Sequence, residues 1–239
     1  MRSNNVSIGI QARSTSTRFP GKIFEKIDGV EILQHVIDRC TNAATYLNRH
    51  SRKTGINVTV HVLCPKDDEL TKSYKGKLSI IEGDENDVLS RYIYMADLFK
   101  SDYTVRITAD CPFIPPFFIS KAIKIAIEAD YDYFSNVDES IRTSPDGHDV
   151  EVMSKKALEY LEDHAKTPEH REHVTLLLRH TRPDHLNMGT ALGWEDYSKL
   201  KLSVDTESDL IAIKAQQELL ERKYSLARKL YGKQNVHRY

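Results

Sequence analysis

Arg13, Arg18 and Lys22 share the stretch Gln11-Ala-Arg-Ser-Thr-Ser-Thr-Arg-Phe-Pro-Gly-Lys22 with Ser14, Thr15, Ser16 and Thr17, and no acidic residue interrupts them. Guanidinium and ammonium groups beside hydroxyl donors suit an anion with several oxygens, such as a triphosphate. The stretch follows the apolar, β-branched run Val6–Ile10, so it should lie at the C-terminal end of a strand, where α/β sheets collect ligands. Neither G-x-x-x-x-G-K-[S/T] nor G-x-G-x-x-G is present, so the loop is neither a Walker loop nor a dinucleotide fingerprint. A solvated basic loop is the plain alternative. Two acids complete the set. Asp110 follows the strand-like Tyr103–Ile107 and is stopped by Pro112, and Asp205 follows Leu202–Val204. Carboxylates at strand ends can hold a hard cation such as Mg²⁺, although either Asp could instead cap a turn or helix.

The elements that must position these groups alternate. Ile32, Leu33, Val36, Ile37, Cys40, Ala44 and Leu47 recur at helical spacing, and Asn57–Leu63 and Leu78–Ile81 read as strands. Pro65–Leu70 carries the acids of a helix start. Val88, Leu89, Tyr92, Ile93 and Ala96 form the stripe of a further helix, with Asp84 and Asn86 as candidate N-caps. Pro115-Pro116 opens a helix running to Ala129, Tyr131–Phe134 is a strand, and His148–Val152 is another with Val150 and Val152 on one face. A helix through Ala157, Leu158 and Leu161 follows. Thr206 and Asp209 form a capping-box-like start to a last helix bearing Leu210, Ile213, Gln217 and Leu220, and the tail from Arg222 to Tyr239 is basic and polar. The pattern predicts one α/β domain over residues 1–239, a three-layer, mainly parallel sheet with right-handed crossovers.

A formal charge of −1, with 40% hydrophobic and 29% charged residues, argues against wholesale nucleic-acid binding. The opening residues lead into a short strand and contain no membrane span or signal peptide, so a cytoplasmic location is expected. Cys40, Cys64 and Cys111 lack C-x-x-C spacing and suggest neither a disulfide framework nor a zinc ribbon. His164, His170, His173, His180 and His185 lie close in sequence without H-E-x-x-H spacing or paired cysteines, and His170 and His173 fit a polar helical face better than zinc.

Segments spread along the chain, in order, resemble the sugar cytidylyltransferases, especially the branch called spore coat polysaccharide biosynthesis protein F, relatives of the CMP-Kdo and CMP-sialic acid synthetases. They are Ile10–Lys22, Gly83–Tyr92, Arg106–Pro112, Asp146–Val152 with Arg171–Thr175, and Val204–Thr206. The resemblance implies a Rossmann-like fold of nucleotide-diphospho-sugar transferase type. It implies transfer of CMP from CTP to an acidic or otherwise modified sugar, with pyrophosphate released, Mg²⁺ as cofactor and a homodimer as the common assembly. By residue it implies a nucleotide site from Gln11, Ala12, Arg13, Ser14, Ser16, Thr17, Arg18 and Lys22 with Gly83, Asp84, Asp87 and Arg91. Asp110 and Asp205 become the metal pair, and Arg13 and Lys22 join them as catalytic groups. Asp149, Glu151, Arg171, Glu172 and His173 become acceptor contacts, within a region 135–195 that binds the acceptor and is the candidate for a dimer arm. Two further classes stay open. A glycosyltransferase of similar fold would use a D-x-D motif, for which Asp130-Tyr-Asp132 has the spacing. A nucleotide-binding subunit without turnover is the other, hinted at by Thr15 and Ala109 standing where the family commonly has glycine or a small residue.

Overall fold

The computed structural model describes residues 3–215 apart from 75, 77 and 194. The chain enters through β1 (Asn4–Gln11), whose Val6, Ile8 and Ile10 are buried on one face. The basic loop follows, and a single 3₁₀ turn at Lys22–Phe24 leads to a hairpin of β2 (Lys26–Ile27) and β3 (Val30–Glu31). The hairpin was not expected. Its signal is Asp28-Gly29, where both residues take positive φ, 51° and 79°, as a two-residue hairpin turn requires.

Next come α1 (Ile32–Arg49), the single turn α2 (Ser51–Thr54), β4 (Ile56–Pro65), α3 (Glu69–Ser73) and β5 (Ile80–Gly83). The apolar stripe read from α1 is the buried one, with Ala43 added. Each such Ile, Leu or Val removed from water favours the fold by roughly 1.5–3 kcal/mol before chain entropy opposes it. Then follow α4 (Val88–Phe99), β6 (Tyr103–Thr108), α5 (Pro116–Glu128), β7 (Tyr133–Ser135) and β8 (Glu151–Ser154). The described part closes with α6 (Lys155–His164), α7 (Pro168–Glu172), α8 (Leu176–Thr181), β9 (Met188–Thr190) and a helical stretch 207–215. Gln217, Leu220 and the tail Arg222–Tyr239 lie outside the described residues.

Seven strands form one sheet in the order β5-β4-β1-β6-β8-β7-β9. β8 runs antiparallel to both of its neighbours, and the other pairings are parallel. α1 and α5 cover one face over the core built on Ile8 and Val105, and α4 and α6 cover the other over Leu63, Tyr92 and Met153. α4 lies close because Gly9 has no side chain: a Cβ there would sit 2.6 Å from the Tyr92 ring, whose hydroxyl donates to Gly9 O at 3.1 Å.

Three boundaries differ from the pattern reading. β8 begins at Glu151, since Asn136 draws the preceding backbone aside by bonding His148 O and Val150 N. The expected strand at Leu202–Val204 is reduced to one bridge between Lys201 and Asp146. Neither Asp84 nor Asn86 caps α4; Asp87 does, accepting from Ser90 N at 2.9 Å, while Asp84 closes the turn before it. The capping box is present, with Thr206 N donating to Asp209 Oδ2 at 2.8 Å and Asp209 N to Thr206 Oγ1 at 3.3 Å.

Candidate functional site

From β1 the chain builds outward to β4 and β5, then returns to place β6 on the opposite flank of β1. A crevice opens where the connections part, at the C-terminal ends of β1 and β6. Gln11, Ala12 and Arg13 line it from one strand exit, and Thr108, Ala109 and Asp110 from the other. The basic loop folds over it with Ser16, Thr17, Arg18 and Lys22 on the wall, and Glu85 and Arg91 close the side nearest α4.

The loop is held from outside. Ser14 does not line the crevice: its N–H donates to Asp68 Oδ2 at 2.9 Å, and its carbonyl accepts from Gly21 N at 2.9 Å. Thr15 donates to Glu85 Oε1 at 2.9 Å. Gly83, Asp84 and Asp87 also stand behind the wall. Gly83 makes room for Arg91, whose Cγ would be 2.5 Å from an added Cβ. Asp87 takes a two-pronged ion pair from Arg171, with Nε at 2.8 Å and Nη2 at 2.5 Å, which docks α7 on the start of α4. Arg91 is buried, reaches only Leu63 O and Glu85 O at 3.3 and 3.4 Å, and leaves its Nε without a partner among the described residues. Burial pulls its pKa down.

Asp110 and Asp205, far apart in the chain, meet across Lys22. Its Nζ lies 2.7 Å from Asp110 Oδ2, 3.5 Å from Asp205 Oδ1 and 2.8 Å from Val204 O. Arg18 reaches Asp205 Oδ1 at 2.8 Å, and Lys201 reaches its other oxygen at 3.0 Å. Burial works against a charged Asp110, but the Lys22 ammonium outweighs it and holds the carboxyl below its ordinary value. Backbone bonds bring the two acids together: Val204 N donates to Asp110 O at 2.9 Å, and Leu202 N to Asp146 O at 2.7 Å. Gly147, at φ +99°, permits this contact, since a Cβ there would lie 2.5 Å from the carbonyl carbon of Leu202. The D-G-x-D segment thus serves the placement of Asp205.

Two carboxylates already sharing one cation, beside Arg13 and Arg18, fit a hard divalent ion by donor type. Among the described residues no third acid, His or Cys joins them, which leaves coordination positions for phosphate oxygens and water, as Mg²⁺ prefers.

The expected acceptor residues separate. Glu172 lines the crevice, whereas Arg171 is committed to Asp87 and His173 lies exposed at the C-terminal end of α7. Glu151 is a correction. It is 1% exposed, and its carboxylate accepts from Arg106 Nη1 at 2.5 Å, Tyr133 OH at 2.7 Å and Thr175 Oγ1, so it is spent inside the protein. Asp149 pairs with Arg142 at 2.5 Å; burial pushes its pKa up to about 6, with the Arg142 charge opposing the rise. The D-x-D pair is structural too. Asp132 accepts from Ser154 Oγ, Lys156 Nζ and Asn187 N, tying β7 to β8 and to the start of β9. Arg106 and Lys201 were missed, because a lone charge in a strand or loop reads as solvated surface until its partner is known. The His-rich segment is dispersed, with His164 and His185 both packed on Tyr160.

The sequence profile of a family described as cytidylyltransferase matches residues 8–235. Over 219 residues the chain is 26% identical to the spore coat polysaccharide biosynthesis protein SpsF of Bacillus subtilis, spanning 89% of this chain and 86% of that one. It is 28% identical over 124 residues to the 3-deoxy-manno-octulosonate cytidylyltransferase of Pelobacter propionicus, half of this chain and 44% of that one. Among solved structures, a cytidylyltransferase from Leptospira borgpetersenii superposes with a TM-score of 0.79 at 24% identity, covering 98% and 99% of the two chains. CMP:2-keto-3-deoxy-manno-octonic acid synthetase, solved with CTP, gives 0.61 at 16% identity, covering 90% and 99%. At these identities the solved structures share the fold.

Proposed function

We propose that this chain, which belongs to the cytidylyltransferase family and is a CTP-dependent nucleotidyltransferase, transfers CMP to an acidic or otherwise modified sugar during synthesis of a polysaccharide or surface glycan. The observation that carries the reading is the meeting of Asp110 and Asp205 at Lys22 beneath the cationic loop. Transfer needs the acceptor oxygen aligned with the α-phosphorus and the growing negative charge neutralised as pyrophosphate departs. Asp110 and Asp205 would hold Mg²⁺, which supplies Lewis-acid neutralisation of phosphate oxygens when bound. Arg13, Arg18 and Lys22 grip the β- and γ-phosphates and stabilise the leaving pyrophosphate. Arg91, a buried cation whose Nε has no partner among the described residues, adds positive charge from the α4 side. Glu172 faces the crevice as the acceptor's neighbour.

The protein acts in the cytoplasm as a homodimer through the 135–195 region. Ile141 and Leu192 stand exposed there, and among the described residues no helix is long and apolar enough to cross a membrane. The glycosyltransferase alternative is disfavoured by the engagement of Asp132 away from the crevice.

Mixing the protein with CTP, Mg²⁺ and a panel of keto-sugar acids and amino sugars tests the reading by pyrophosphate release. Transfer from a preformed nucleotide sugar, or CTP binding without release across the panel, would sink it. Lys22→Ala is expected to raise KM for CTP about tenfold or more, roughly 1.4 kcal/mol or more of lost triphosphate binding. An unchanged KM and kcat in the same assay would remove Lys22 from the phosphate site.

A further inference from the structure

We infer that Gln11 is a hydrogen-bond donor to the nucleotide, and that the buried Arg106–Glu151 pair is a positioning device that sets its amide with the NH₂ toward the crevice. The inference rests on the crevice being the CTP site and goes beyond it by assigning an orientation and a role to Gln11.

The register places the three residues on one face. Gly9 and Gln11 are two apart on β1, Gly9 pairs with Arg106 on β6, and Arg106 pairs with Glu151 on β8. A polar row therefore crosses the sheet just below the strand exits. Arg106 is anchored at one end by Glu151, with Nη1 to Oε2 at 2.5 Å, and Glu151 is in turn fixed by Tyr133 and Thr175. Burial opposes the charge on Arg106, but Glu151 and then Tyr92 outweigh it, so the guanidinium stays charged. Its free Nε then donates to Gln11 Oε1 at 3.3 Å.

A guanidinium has only donors, so the amide atom facing it has to be the carbonyl oxygen. Swapping O and N would set two donors against each other in a half-buried place. The Gln11 NH₂ is thereby turned to the other side, on a residue that lines the crevice, and no hydrogen bond to a described residue occupies it. Gln11 lies directly before Ala12 and Arg13 of the phosphate loop, and its backbone carbonyl accepts from Ala109 N at 2.9 Å, one residue before Asp110. An amide between loop and carboxylates that offers only donors selects an accepting atom on the nucleotide: a base carbonyl or ring nitrogen, a ribose oxygen or a phosphate oxygen. It disfavours any group presenting a donor there.

Isothermal titration with CTP and Mg²⁺ tests this on the full chain. Gln11→Met, which keeps the length and removes the donors, is expected to weaken CTP binding about five- to tenfold. Removing the pair as Arg106→Met with Glu151→Gln is expected to weaken binding about threefold when Gln11 is present and not at all in the Gln11→Met background, since positioning acts only through Gln11. In two-dimensional NMR, the side-chain amide signals that vanish in Gln11→Met should shift when CTP is added to the unmodified protein, a readout that does not depend on the paired variant folding. Wild-type affinity in Gln11→Met, equal losses in both backgrounds, or unmoved amide signals at saturating CTP each overturn the inference. A wild-type protein that binds no CTP overturns the functional reading instead.

Discussion

Asp110→Asn is expected to lower CTP-dependent pyrophosphate release by about a thousandfold or more while leaving the protein folded, and Asp205→Asn should do the same. The effect is large because the carboxylate is asked to hold a divalent ion against a polyphosphate at the moment negative charge builds. A thousandfold loss corresponds to about 4 kcal/mol of barrier, within what preorganised charge contributes in such sites. The fold should survive, since Asn keeps the shape and can still accept a hydrogen bond, and Lys22 keeps Val204 O at 2.8 Å. The cost is the loss of one charge-assisted bond of 2.7 Å, roughly 1.5–3 kcal/mol. Thermal melting beside the pyrophosphate assay separates the two effects. A near-wild-type rate for either variant would exclude that residue from the metal site.

Gly147→Ala should be the most damaging change outside the crevice. At φ +99° a non-glycine residue is strained, and its Cβ would come within 2.5 Å of the Leu202 carbonyl carbon and 2.6 Å of Ser203 N, backbone atoms that cannot rotate away. The segments must part, weakening Leu202 N to Asp146 O at 2.7 Å and Ser203 Oγ to Asp146 Oδ2 at 2.7 Å. We expect a loss of about 2–4 kcal/mol, seen as a fall in Tm of roughly 4–16 °C for a chain of this size. The folded fraction should also turn over roughly ten- to a hundredfold more slowly, because Asp205 hangs from the displaced segment and a small misplacement at the reacting centre is costly. An unaltered melting curve would show that the close contact at Gly147 does not hold these segments together.

The same residue shows where pattern reading stops. Asp146-Gly-x-Asp-Val-Glu is visible as a motif, and its resemblance pointed to acceptor contacts. Yet Gly147 and Asp146 brace the chain that carries Asp205, and Glu151 neutralises Arg106 under the sheet. A lone charge in a strand normally means solvent exposure. Here each makes the burial of the other tolerable, and neither can be recognised alone. Asp84 and Asp87 make the same point more locally. Both types suit an N-cap, and the backbone turn closed by Asp84 decides that Asp87 is the cap.

By itself the sequence determined what depends on neighbours along the chain. The buried stripe of α1, the alternation of strands and helices, the capping box at Thr206, and the collection of cations and hydroxyls between Gln11 and Lys22 all follow from spacing and local chemistry. The tertiary structure decided everything that depends on which distant segments touch. It set β8 against the parallel strands, and it shaped the crevice where β1 and β6 end. It joined Asp110 to Asp205 through a backbone bond from Val204 N, and it turned the Gln11 amide by a guanidinium whose counter-ion lies on the next strand. Hydrogen-bond partners and desolvation are properties of pairs brought together by folding, and no one residue's identity contains them.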